Sequence, residues 1–300
     1  MSIRYDKHDE QWKSALDENN DFKKVGDSWF ATDTFDYQRH DRMRAVVKPL
    51  IKVAPEDCWL TVGDGRYGSD AAWLLKNGLN NVHASDLSDR LLKIGAKAKF
   101  INEFSKQNAE ELNIPDSSFD YVFCKEAFHH FPRPFRALEE MLRVSKKGVI
   151  IIEPRDDMID RGFLSVIFDL LRWIFGHRPN GIGFEIVGNF IYSISERELI
   201  KFQLGMHRRY IAFKGLNDSY VNGVEFIKIS DRSLHARFKR LQYNLKLICL
   251  NTLTFLRAIR GGNLLVAIIF KSNPNKETIQ ALEQDGFTFK KLKKNPYISI

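Results

Sequence analysis

Cysteine is scarce in this chain: Cys58, Cys124 and Cys249 stand far apart and are odd in number. They offer no disulfide framework and no C-x-x-C metal pair, so a reducing compartment, the cytoplasm, is expected. Long apolar runs are missing too. No stretch reaches the roughly 20 residues that a bilayer-spanning helix needs. Residues 1–24 are dense in charge and lack the apolar core of a secretory leader, so none is expected there. No internal repeat or low-complexity run occurs, and a solenoid is not expected. Acidic residues thin out toward the C-terminus. Residues 201–300 carry 18 Lys and Arg against 6 Asp and Glu, whereas residues 1–200 carry 28 against 32. Such a basic third suits an anionic partner (membrane surface, phosphorylated substrate or nucleic acid) or a solvated face kept for solubility. The remainder is ordinary globular composition, 44% apolar and 28% charged over 300 residues, enough for one large domain or two small ones.

The informative stretch is 59–68, W-L-T-V-G-D-G-R-Y-G. Its apolar start has the length and β-branching of a buried parallel strand. It breaks into a G-x-G-x-x-G turn at Gly63, Gly65 and Gly68, and 69–77 then reads as a helix closed by Gly78. Glycines there permit a tight turn and close approach of a ligand to the backbone. Alone, the motif fits a dinucleotide site, a nucleoside-cofactor site or a mere turn.

The pattern around it is regular. Before it, 42–53 has helical spacing, bent or shortened by Pro49. After it come a second strand at 81–85 ending in Asp86, a helix capped by Ser88, and a third strand at 103–107. A fourth strand at 119–124, an amphipathic helix at 133–144 and a fifth strand at 148–152 follow. Strands alternating with helices mean a parallel α/β sheet. Later come a capping-box helix from Ser195, a sixth strand at 208–214, the strongest strand of all at 263–271, and a helix at 276–284.

Five features stand in fixed order: the glycine turn, Asp86 ending strand two, Asn108-Ala109-Glu110 after strand three, F-D-Y-V-F-C-K-E-A-F-H-H-F at 119–131, and Glu153-Pro154 ending strand five. Over about residues 58–154 they resemble the class I S-adenosylmethionine-dependent methyltransferases, particularly the small-molecule branch called methyltransferase type 11. The resemblance implies a Rossmann-like, doubly wound, mostly parallel seven-stranded sheet. It implies an N-terminal lid (1–45), a cofactor-binding core (46–155) and an acceptor-specificity insert after strand five (156–194). The remaining core would be 195–215 and 263–300, with a basic helical insert at 216–262.

The cofactor implied is S-adenosylmethionine. Gly63, Asp64, Gly65 and Gly68 would make room for its methionine and ribose, and Asp86 would accept the ribose hydroxyls. Leu87 and Ala109 would flank the adenine, with Asn108 on its amino group, Glu110 beside it and Lys125 converging on the same rim. The family usually carries an acid where Thr61 stands; a hydroxyl can still order the turn, and Asp64 is placed to compensate. A nicotinamide dehydrogenase shares the glycines and a downstream acid but explains neither 108–110 nor the His pair.

Methyl transfer from a sulfonium needs orientation, plus a base where the acceptor is a hydroxyl. His129 and His130 lie beyond strand four, and Glu153 could orient one imidazole. Either His could be the base, or merely structural. No metal is expected, since nothing else supplies ligand spacing. Aromatic residues 29–37 sit where a lid would be, with Tyr37 or Arg39 within reach of the methionine carboxylate. Arg155, Arg161, His177 and Arg178 are candidates for an anionic group on the acceptor. The expected activity is methylation of a small-molecule or glycan hydroxyl, on a sugar or lipid-linked intermediate. The alternatives are a C- or N-methyltransferase on a quinone-type precursor and a catalytically silent nucleoside-binding partner. Nucleic acid is not expected as a partner, for no RNA-binding module is present. Oligomeric state stays open, a homodimer included. The apolar stretch 163–175 and a basic helix at 239–260, with Leu241, Leu245, Thr252, Leu256 and Ile259 on one face, suit peripheral attachment to a membrane or packing against the sheet or a second subunit.

Overall fold

A computed structural model describes residues 27–156 and 189–297, with the separate positions 5, 7, 10, 159, 166, 167, 170, 171, 174, 183 and 184. The residues Arg161, His177 and Arg178 lie outside the described residues, as does most of 163–175.

The elements are α1 (Phe35–Arg44), α2 (Lys48–Val53), β1 (Cys58–Val62), α3 (Ser69–Lys76), β2 (Asn81–Asp86), α4 (Arg90–Lys97), β3 (Glu103–Lys106) and β4 (Phe119–Lys125). After them come α5 (Pro134–Val144), β5 (Ser145–Pro154), α6 (Glu196–Gly205), β6 (Tyr210–Leu216), α7 (Leu234–Phe255), β7 (Leu264–Phe270), α8 (Lys276–Gln284) and β8 (Thr288–Lys291). One sheet joins them in the order β3-β2-β1-β4-β5-β7-β6-β8. β3 through β5 are parallel, and β7 runs antiparallel between β5 and β6.

Side chains alternate across the sheet, so each face buries its own cluster. Trp59, Phe123, Ile150 and Ile268 meet Leu50, Trp73 and Leu282 on one side. Leu60, Val122, Ile151 and Ile269 meet Leu138, Met141 and Leu199 on the other. Every residue of β7 is buried, each large one contributing about 1.5–3 kcal/mol relative to exposure.

Four expectations change. The sheet has eight strands, because Thr288–Lys291 of the basic tail pairs antiparallel with β6. The helix expected at 42–53 is broken: a 3-10 turn at Ala45–Val47 separates α1 from α2, and Pro49 sits in the first turn of α2, where its missing N–H costs nothing. The N-cap of α4 is Asp89, not Ser88, whose amide instead donates to Asp86 Oδ1 at 2.9 Å. The basic helix begins at Leu234, capped by Ser233, and stops at Phe255 rather than running from 239 to 260. The capping box at Ser195 forms as expected, with Glu198 returning to the Ser195 amide.

Candidate active site

Strand ends of an open parallel sheet leave a crevice where successive connections diverge. Here the carboxyl ends of β1, β2, β3 and β4 open onto a cavity of about 290 Å³, at the lower edge of the ~300–1,000 Å³ range for small-molecule sites. Gly63, Asp64 and Gly65 line it after β1, Asp86 and Leu87 after β2, Asn108, Ala109 and Glu110 after β3, and Lys125 and His130 from β4 onward. Tyr37 closes the N-terminal side. Gly68, Arg39, His129 and Glu153 do not line it.

Two glycines of the turn serve the protein's own packing. A Cβ on Gly63 (φ +77°) would stand 2.3 Å from the Ala127 Cβ, and one on Gly68 (φ +74°) would meet Ile101 at 2.7 Å. Close approach to a ligand is left to Gly65. Thr61 donates to Asp64 Oδ2 at 2.9 Å, and Asp64 in turn accepts the amides of Asp70 (3.0 Å) and Ala71 (2.9 Å) at the start of α3. Thus the hydroxyl at the unusual position does order the turn. Burial and the neighbouring Asp70 push the Asp64 carboxyl up to about 7.

Asp86 is 7% exposed at the cavity wall. Asn108, at the cavity wall, accepts the Glu110 amide on its Oδ1 at 3.0 Å, a local turn bond. The carboxylate of Glu110 is turned toward Arg133, accepting its backbone amide (2.8 Å) and its Nε, with the Tyr5 hydroxyl at 2.9 Å.

Beyond β4, Glu153 organises the exit. Its Oε1 accepts the amides of Ala127 (2.9 Å) and Phe128 (2.8 Å), and the His129 Nδ1–H donates to Oε2 at 2.6 Å. Glu153 is fully buried. The His129 ring lies against His130, centroids 3.9 Å apart, and His130 is the one that reaches the cavity. Of the pair, either of which is a candidate base by sequence, one ring faces the cavity and the other lies against that ring.

The opposite wall comes from α1. Lys125 Nζ donates to Glu126 Oε2 (2.7 Å) and contacts His40 Nδ1 (3.1 Å). Burial and Lys125 keep His40 well below the ordinary histidine range, hence neutral. Burial alone would raise Glu126, yet Lys125, His40 and Arg39 hold its carboxyl well below the usual range. Glu126 also adopts φ +50°, a left-handed backbone unusual for this residue type. Arg39 is spent on Asp218 (2.8 Å) and Asp36 (2.6 Å), so the expectation that it reaches a cofactor carboxylate does not hold. Arg155 is similarly committed to Glu196 (3.1 Å) at 2% side-chain exposure and cannot serve an acceptor anion. Sequence reading passed over His40, Glu126, Asp36 and Arg66 as cavity residues. The charged K-E pair closing β4 was the only local signal.

An aromatic cover completes the site. Phe30 lies 3.9 Å from the Tyr67 ring, Trp29 meets Tyr67 edge-on at 6.3 Å, and the Arg66 guanidinium sits 5.0 Å over Trp29.

Sheet order and site together define the Rossmann-like fold of class I methyltransferases. Residues 60–152 match the model of a methyltransferase domain family. It is 30% identical over 138 residues to a demethylmenaquinone methyltransferase of Bacillus cytotoxicus, covering 44% of this chain and 58% of that one. It is 29% identical over 133 residues to a ubiquinone/menaquinone biosynthesis C-methyltransferase of Bartonella bacilliformis, covering 42% and 50%. The chain thus spans about half the length of these relatives. A solved SAM-dependent methyltransferase from Archaeoglobus fulgidus aligns over 79% of this chain and 100% of its own, at 15% identity and a TM-score of 0.44.

Proposed function

We propose that the protein transfers a methyl group from S-adenosylmethionine to a hydroxyl of a small-molecule or glycan acceptor, with His130 as base. The observation that carries this is the Glu153–His129–His130 arrangement, which presents one braced imidazole to a cavity otherwise shaped for a nucleoside. The donor set fits the cofactor: a buried acid ends β2 for a ribose diol, Leu87 and Ala109 offer apolar faces, and Asn108 lies beyond them. When bound, the cofactor supplies a methyl group activated on a sulfonium. The chain supplies the rest. Asp86 accepts the ribose hydroxyls, the cover of Trp29 and Phe30 excludes water, and a ring nitrogen of His130 takes the acceptor's proton. His129 and Glu153 act as positioning residues, fixing the plane against which His130 rests.

Alanine at His130 should lower kcat by roughly 10²–10⁴ with cofactor affinity little changed. The parent rate should fall in acid, as loss of a general base requires; a flat profile with chemistry rate-limiting would contradict the role. The names of the quinone-methylating relatives favour a second reading, methylation of a ring carbon on a quinone-type precursor. In that case replacing His130 leaves turnover largely intact. Screening extracted glycans, lipids and metabolites for a methyl-sized mass gain identifies the acceptor. Absence of S-adenosylmethionine binding by calorimetry would sink both readings.

A further inference from the structure

Helix α7 has two unlike faces. Ala236 and Tyr243 are buried, and Tyr243 packs edge-on against Phe35 of α1 at 4.9 Å between centroids. On the opposite side Leu234 (83% exposed), Phe238 (63%), Leu241 (55%), Leu245 (56%), Ile248 (60%) and Phe255 (86%) stand in water. They recur in steps of four, three, four, three and seven, which places them on one stripe of a helix. At 1.5 Å per residue that stripe is about 30 Å long. Soluble monomers rarely leave so continuous an apolar surface uncovered.

Charge decides what covers it. Residues 232–260 hold seven Lys and Arg and no Asp or Glu. Lys239 and Arg240 reach back to the carbonyls of Asn222 (2.9 Å), Lys228 (2.6 Å) and Ile229 (2.9 Å), fixing how the helix is rolled. Arg237 and Lys246 are exposed and flank the stripe on its two sides. The heptad-like spacing would also suit a second helix. Two copies of this one, however, would bring like charges together with no carboxylate in the segment to pair them. An anionic lipid surface matches both features, burying the stripe and neutralising its flanks. No helix of the described residues is long and apolar enough to cross a membrane, so the contact is one of lying upon it. The insert after β5 adds to this: Val166, Ile167, Leu170, Leu171 and Ile174 are helical, exposed and apolar.

We propose that α7 lies in the headgroup layer of an anionic membrane, apolar stripe inward, and holds the protein there. The inference goes beyond methyl transfer and does not depend on it. Its position bears on access all the same, for α7 packs on α1, and Tyr37 and His40 of α1 line the cavity.

The full chain is sedimented with vesicles of neutral phosphatidylcholine alone or with about 30% phosphatidylglycerol, at about 0.05 and 0.5 M salt. It should pellet with the anionic vesicles at low salt, weakly at high salt, and not with neutral ones. Changing Arg237→Gln and Lys246→Gln together should weaken partitioning about thirty-fold, from ~1 kcal/mol per lost cation. Leu241→Asp, Leu245→Asp and Ile248→Asp together should abolish it while the circular dichroism spectrum is kept; the charge pair decides if that variant unfolds. Sedimentation velocity should show a species whose mass the triple variant does not change. The proposal is overturned if the protein stays in solution with anionic vesicles at low salt, or if the charge pair binds like the parent. A dimer that the triple variant dissociates overturns it as well, naming a second copy as the occupant.

Discussion

The cavity has two walls of different origin. One follows the strand ends: Gly65, Asp86, Asn108 and Lys125 each stand at or just beyond the strand that positions them, and the bonds of Asp86 and Asn108 are local, while Lys125 reaches His40 of the facing helix. The other comes from α1, which the insert after β6 backs from behind, Arg39 and Arg42 reaching across about 175 residues to Asp218 and the Asn217 carbonyl. Residue 229 donates its amide to the carbonyl of Asp33, and Phe35 donates to that of Ile227, lacing lid and insert into one layer. The strand-end wall is held by backbone geometry, the other by buried charge. Local changes in the first should therefore alter binding, and changes in the second should alter folding.

The largest effect is expected from Arg39→Ala. It takes the arginine from Asp36 and leaves Asp218 with Arg42 alone in a nearly dry interior, and breaking such a pair costs about 3–5 kcal/mol. Chemical denaturation measures it; a loss within ordinary surface scatter would mean that water already serves those carboxylates. At the strand-end wall, Asp86→Asn removes charge-assisted acceptance of the ribose and should weaken cofactor binding by about 1.5–3 kcal/mol while stability barely moves. Calorimetry showing unchanged affinity would take Asp86 out of the site. Acid should attack the charged wall first. Unfolded His40 takes up a proton near 6.5, whereas the folded residue, depressed by burial and by Lys125, does not. Below about that pH the unfolded chain binds more protons, so stability falls as pH falls. The groups facing His40 are Lys125, Glu126, Arg66 and Asp36. His40→Gln should flatten the fall in melting temperature between neutral and mildly acidic pH. Smallest is Ser195→Ala, which removes one reciprocal cap of α6 and should cost about 1 kcal/mol without touching either wall.

How much of this was legible follows the same division. Periodicity located every strand from β1 to β7; β1, β4, β5 and β7, buried on both faces, are nearly continuous apolar runs. It missed β8, whose T-F-K-K has one large apolar residue and resembles a charged tail. The glycine turn, Asp86 and the His pair were visible, since crossover geometry ties sequence order to position at the sheet's edge. What distinguishes His130 from His129 was not visible, as it depends on Glu153 reaching back from the next strand. Arg39 and Arg155 looked like ligand groups because a lone arginine in sequence shows no partner; their carboxylates arrive from 179 and 41 residues away. The boundaries of α7 also misled, for an exposed apolar stripe gives the same periodicity as a buried one.

The antiparallel β7 has a consequence for synthesis. β6 pairs only with β7 and β8, both made after it, and the outer edge of β5 waits for the same strand. Until residue 270 emerges, the growing chain holds an open sheet edge of Val149, Ile150, Ile151 and Ile152, together with a strand that has no neighbour. Such edges template pairing between chains. A nascent chain stalled within α7 would thus be the species most prone to aggregate, and β7, the most apolar strand, closes the sheet in one insertion.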